Sequence, residues 1–242
     1  MRAMKNIRIY LSVIAFTFST LINAQIGERR DGLALGVNAG MTWNTVAFTP
    51  TIQQKQLMAP TFGITFRVTS EKYFATVCAF QVELNYARLG WKEDIVSSQN
   101  QPLPDTYQRQ LDYIEMPLLA RLGWGREERG MMGYLVAGPQ LGVCLGEKEK
   151  YGATWTCNEA GEPDRPNGMF AQYGLPIDRK FDYGITAGLG GELNTRAGHF
   201  MLDARYYYGL ADLFKNGKKD VFDRSNHGTI LLKFTYLFDL RK

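Results

Sequence analysis

Histidine and cysteine are scarce in this chain of 242 residues, with 2 His and 3 Cys, and neither type is spaced as metal ligands are. No Cys-x-x-Cys pair is present, and a third cysteine leaves at least one of Cys78, Cys144 and Cys157 unpaired. Charge of one sign is also lacking. Once the first 24 residues are set aside, with Arg2, Lys5 and Arg8 among them, 25 basic residues face 24 acidic ones. That balance gives no reason to expect nucleic-acid binding. Long apolar runs are missing after the N-terminus, which excludes a multi-helix membrane protein.

The one apolar run, Ile9 to Ile22, follows a basic stretch Met1 to Arg8 and precedes the small residue Ala24. These are the three parts of a secretory signal, and cleavage is expected after Ala24, leaving 25–242 as a single domain. No Cys follows the cleavage point, so a lipid anchor is not expected. Cys144 and Cys157 are spaced so that they could close a loop by disulfide, or all three cysteines could be free.

What the mature chain has is period 2. In the last segment Ile230, Leu232, Phe234, Tyr236 and Phe238 fall on one side, against Leu231, Lys233, Thr235 and Leu237. Phe181, Tyr183, Ile185, Ala187, Leu189 and Leu193 likewise oppose Asp182, Gly184, Thr186, Gly188, Gly190 and Glu192. The alternation predicts eight strands, near 32–47, 58–69, 73–91, 107–123, 131–145, 179–194, 198–213 and 227–239. The links alternate long and short, with Ser70-Glu71-Lys72 and Thr195-Arg196-Ala197 as tight turns. An even strand count with that loop asymmetry is the pattern of a transmembrane up-and-down antiparallel β-barrel of the bacterial outer membrane. Its N-terminus and short turns are expected in the periplasm and its long loops outside the cell.

A secreted soluble barrel has the same alternation with its faces reversed. Strand length, loop asymmetry and aromatic residues near strand ends favour the membrane: Trp43, Phe48, Trp91, Trp124, Phe181 and Phe238 are expected in the two girdles. The polar face then lines the lumen. It places Glu83, Glu115, Arg205 and Lys233 near mid-height, and Arg67, Arg121, Glu192 and Asp203 nearer the periplasmic end. Eight strands leave room only for side chains, so these charges are expected to pair and plug the barrel. Pro117, which cannot donate to a ladder, predicts a bulge beside Glu115.

Catalytic chemistry finds little support. Gly188-Leu189-Gly190-Gly191 precedes no helix, and small residues suit a crowded inward face. Ser225, His227 and Thr229 sit at the outer end of the last strand, but parity turns His227 inward, away from any lipid substrate. No catalytic residue, metal or cofactor is assigned. The external links, Gly146 to Ile177 with Trp155, Cys157, Pro163, Pro166 and Pro176, and 92–106 with Pro102 and Pro104, are the expected partner-binding surface.

Three stretches carry a family resemblance: Gln81-Val82-Glu83-Leu84-Asn85-Tyr86, Leu111-Asp112-Tyr113-Ile114-Glu115-Met116-Pro117-Leu118-Leu119, and Leu202-Asp203-Ala204-Arg205-Tyr206-Tyr207-Tyr208-Gly209-Leu210. Together they resemble the PorT-like outer-membrane β-barrel family of the Bacteroidetes, over about 25–240. The resemblance implies an eight-stranded barrel in a Gram-negative envelope, in contact with outer-membrane lipid. It also implies a role as a non-enzymatic accessory of type IX secretion and gliding, with envelope or secretion-machinery proteins as partners.

Overall fold

The computed structural model describes residues 28–127, 129–217 and 220–241; the expected signal segment lies outside them. Among the described residues nine strands follow one another: β1 Glu28–Thr49, β2 Gln54–Lys55, β3 Leu57–Tyr73, β4 Thr76–Glu93, β5 Tyr107–Gly125, β6 Gly130–Tyr151, β7 Phe181–Thr195, β8 Gly198–Asp212 and β9 Arg224–Arg241. β2 is a two-residue pairing on β4. The eight others run 15 to 22 residues. Each pairs antiparallel with two neighbours, in the cyclic order β1-β3-β4-β5-β6-β7-β8-β9, with β9 returning to β1. The sheet therefore closes on itself as a barrel, with no long unpaired edge among the described residues.

All eight predicted strands are present, most with longer ends. β6 runs on to Tyr151 and pairs with the start of β5. The first tight turn is Phe74–Ala75 rather than Ser70-Glu71-Lys72, because β3 continues past a register shift between Thr69 and Glu71. The other short links are 126–129 and Arg196–Ala197. Four longer links cluster at the opposite end: 50–56, 94–106, 152–180 and 213–223.

No bulge accompanies Pro117. The β5–β6 register shifts between Asp112 and Tyr113, and Pro117 stays opposite Gln140. Pairing with β4 skips Met116 and Pro117 between Glu115 and Leu118, so the missing donor falls in a gap of the ladder.

The two faces differ in burial as the alternation requires. Leu189 is 62% exposed, Ile185 54% and Phe234 50% on the outside, whereas Lys233 is fully buried inside. Aromatic residues gather outward at both ends: Phe181, Tyr183, Tyr206 and Tyr208 at the loop end, Phe80, Trp124, Phe200 and Phe238 at the turn end. Phe48 and Trp91 depart from the expected girdles. Both point inward and are buried, because the loops fold over this mouth and turn the barrel's inside there into an apolar core.

Candidate functional site: the plugged lumen and its loop cap

Inward positions on all eight long strands meet in the turn-side half of the lumen. Glu83 of β4 is the hub. It accepts from Gln81 Nε2 (2.6 Å), Asn85 Nδ2 (3.0 Å) and Arg205 Nη2 (2.9 Å), and it contacts Lys233 Nζ. Arg205 Nε lies 2.6 Å from Asp203 Oδ1, and the Tyr134 hydroxyl donates to Asp203 Oδ2 at 3.0 Å. Asn38 of β1 donates to Asn85 Oδ1 and Thr65 Oγ1. Here two acids, Glu83 and Asp203, balance two bases, Lys233 and Arg205, all with almost no solvent exposure.

Below it, Glu192 of β7 accepts from Arg67 Nη1 at 2.8 Å and from Arg121 Nη2. His199 Nδ1 lies 2.8 Å from Glu192 Oε1, and its Nε2 lies 2.8 Å from Asp239 Oδ1. The Arg121 guanidinium stacks over the Tyr134 ring at 4.1 Å, which links the two layers.

All eight lumen charges predicted from the sequence thus point inward, but two change layer. Asp203 joins Glu83, Arg205 and Lys233. Glu115 leaves them; among the described residues it has no ion pair and instead accepts from Gln140 Nε2 at 3.0 Å. The tilt of the strands sets height in the barrel, so counting residues along a strand misplaces a charge by one layer. His199 and Tyr134 were missed; His199 shares the inward parity of Met201, Asp203 and Arg205, a signal the sequence carried.

The loop-side half holds the larger apolar cluster. Trp91, Tyr107, Leu111, Phe214 and Phe222 are buried there, with Phe48 and Trp91 ring centroids 5.1 Å apart at 74°. The link 152–180 closes over them. Arg165 Nη2 lies 3.1 Å from Asp105 Oδ2, both side chains buried, and its guanidinium sits 4.7 Å above the Trp155 ring. Asp105 also accepts from Thr156 N and Thr156 Oγ1, each at 2.9 Å. The Tyr173 hydroxyl donates to Glu93 at 2.6 Å, and Gln172 Nε2 donates to Glu93 at 3.1 Å. A charged loop that could have been unstructured is therefore pinned by buried polar contacts, and burial beside Glu93 pushes the Tyr173 hydroxyl up.

The Cys144–Cys157 bridge is not formed; all three cysteines are free. Cys144 is buried on the inner face of β6, whereas Cys157 is exposed and held away by the Cys157–Pro163 bridge within the loop. Nor do Ser225, His227 and Thr229 form a reactive set. Ser225 Oγ accepts from Phe214 N, Thr229 Oγ1 donates to Asn44 Oδ1, and the buried His227 ring meets Tyr113 edge to face at 5.5 Å. Gly188 and Gly190 face the lumen, not a phosphate: a Cβ at Gly190 would lie 2.5 Å from Tyr134 Cζ. Among the described residues no group of His, Cys, Asp and Glu could hold a metal ion.

Residues 23–215 match the family described as outer membrane protein beta-barrel domain. The chain belongs to that family. The closed sheet with its outward apolar face is thus an outer-membrane β-barrel. Among solved structures it is similar to Ail of Yersinia pestis, 12% identical over 86% of this chain and 100% of that one, with a TM-score of 0.35. OprG of Pseudomonas aeruginosa is 11% identical over 88% and 98%, with a TM-score of 0.45. Neisserial surface protein A is 10% identical over 85% and 97%, with a TM-score of 0.41. No curated protein matches the chain.

Proposed function

We propose that this family member is a non-enzymatic, plugged barrel that presents its long loops outside the cell as a binding surface for an envelope protein. The observation that carries the reading is the ordered cap. The link 152–180 is fixed by Arg165–Asp105 and Tyr173–Glu93, and it leaves a concavity of about 430 Å³ lined by Tyr151, Trp155, Phe170 and Tyr173. Aromatic side chains on a rigid support are what protein interfaces select. A lumen closed by the Glu83 charge layer and by the apolar cluster under the loops supports binding over transport, and the buried His227 supports a non-catalytic role. The PorT-like resemblance supports the finer reading, an accessory of type IX secretion and gliding in the Bacteroidetes, with N-terminus and short turns in the periplasm.

Orientation and partner are tested together. Cys157 is exposed on the loop, whereas Cys144 is buried. A membrane-impermeant maleimide applied to intact cells is expected to label Cys157, and a C157S variant should lose that label. Labelling only after cell rupture would reverse the orientation. A photo-crosslinking residue placed at Glu159 is expected to trap one discrete envelope protein, and the absence of any adduct would remove the partner.

A further inference from the structure

At the turn end the lumen opens into a cavity of about 600 Å³ whose floor includes Arg67, Arg121, Met132, Glu192 and His199. The charge here does not balance. Arg67 and Arg121 are 4% and 2% exposed, yet both rest on one carboxylate, that of Glu192. Their further contacts are with poor acceptors, Arg67 Nη1 to Met201 Sδ and Arg121 Nη2 to Met132 Sδ, each at 3.8 Å. The Nε of each is buried without a partner. A buried guanidinium normally finds oxygen acceptors for its five N–H groups. The layer above, with two acids and two bases, shows that this barrel can neutralise itself where it needs to.

The rim adds to the excess: the whole lining holds six arginines against the four carboxylates of Asp31, Glu127, Glu192 and Asp239. Arg129, Arg196 and Arg241 line the cavity, are exposed, and have no ion pair among the described residues. Guanidinium forks match the planar oxygens of carboxylates and phosphates, and a partly enclosed basic cavity concentrates anions.

We infer that the turn-end cavity is an oxyanion-binding site, with Arg67 and Arg121 as its floor and Arg129, Arg196 and Arg241 as its rim. The site takes a carboxylate or phosphate group, and its volume admits the group together with the peptide or sugar that carries it. Given the orientation proposed above, on which only the source of the ligand rests, two periplasmic sources carry this chemistry: free phosphate and the carboxylates of cell-wall peptides.

The test uses the barrel purified from membranes in detergent, so that it does not depend on orientation. Isothermal titration is made with inorganic phosphate and with a muramyl tripeptide. One-to-one binding of at least one probe is expected; tighter binding of the tripeptide assigns the site to the cell wall, and tighter binding of phosphate assigns it to the free ion. R121M leaves Arg67 and Glu192 as a balanced pair and should weaken binding at least tenfold while the barrel keeps its heat-modifiable gel shift. R129Q/R196Q/R241Q leaves the floor intact and should also weaken binding about tenfold. Absence of one-to-one binding by either probe overturns the proposal. So does a rim variant that binds as tightly as the native barrel, whatever R121M does, because the signal then comes from an adventitious ion only.

Discussion

The Tyr134 hydroxyl donates to Asp203 across 3.0 Å while its ring occupies the space that a side chain at residue 190 would need. Gly190 therefore does more than fit a narrow lumen. It lets one tyrosine satisfy a buried carboxylate above and carry the Arg121 guanidinium below, joining the two charge layers. Replacing Gly190 with Ala should expel the ring, strip Asp203 of a donor and unstack Arg121. Overpacking of this kind costs about 1–3 kcal/mol, and the lost hydrogen bond adds about 1 kcal/mol. The urea midpoint for loss of the folded gel band is expected to fall in G190A, and to recover partly in G190A/Y134L.

Glu83 carries a heavier consequence, because it is the only carboxylate paired with Lys233 among the described residues. E83Q leaves that ammonium buried without a counter-charge, whereas Arg205 keeps Asp203. Breaking a buried pair from one side costs about 3–5 kcal/mol. Removing both partners is far milder, so E83Q/K233M should regain most of the stability lost in E83Q. Urea titrations of the two variants decide it; equal losses would mean that Glu83 acts through its Asn85 and Gln81 bonds instead.

Why parity was readable and pairing was not follows from the same geometry. A two-residue repeat fixes which way Lys233 or Glu192 points, whatever the barrel's tilt, so the inward charges were legible. Which charge meets which depends on the stagger between strands, and no local pattern encodes it. For that reason Asp203 joins the layer of Glu83, and Glu115 leaves it for Gln140. Phe48 and Trp91 differ from the girdle expectation for another reason. Trp91 shares the inward parity of Glu83, Asn85, Ala87 and Leu89, which decides its direction over its place near a strand end. The cap over them was invisible, since Arg165–Asp105 joins residues of two loops.

That same ion pair predicts a separable unit. D105A removes the carboxylate that faces Arg165 and accepts from Thr156 N and Thr156 Oγ1. Arg165 keeps its bonds to Tyr173 and Asp164 O, and among the described residues no lumen charge pairs with Asp105. The cap should open locally, because segments held by few contacts unfold below the global free energy. Limited proteolysis within 152–180 is expected to accelerate about tenfold or more in D105A, while the unfolding free energy of the barrel from urea titration changes by under about 1 kcal/mol. A global loss of the folded band would instead show that the cap and the strands form one cooperative unit.

At the other end, Glu127 in the 126–129 turn bridges Lys72 Nζ at 2.5 Å and Arg30 Nε at 3.1 Å. Burial alone raises this carboxyl, but hydrogen bonds to Lys72 and Arg30 outweigh it and hold it below the usual carboxylate range. A group with a lowered folded-state pKa binds protons more readily in the unfolded chain, so its contribution is present at neutral pH and fades as pH falls below about 5. Both cations are partly solvated, which keeps the contribution near or under about 1 kcal/mol. The urea midpoint of E127Q should therefore lie slightly below that of the native barrel at pH 7, and the two should converge as pH falls and the Glu127 carboxylate is protonated. No gap at pH 7 would mean that the Arg30–Glu127–Lys72 bridge contributes nothing, and a gap that persists unchanged at acid pH would mean that Glu127 acts through something other than its charge.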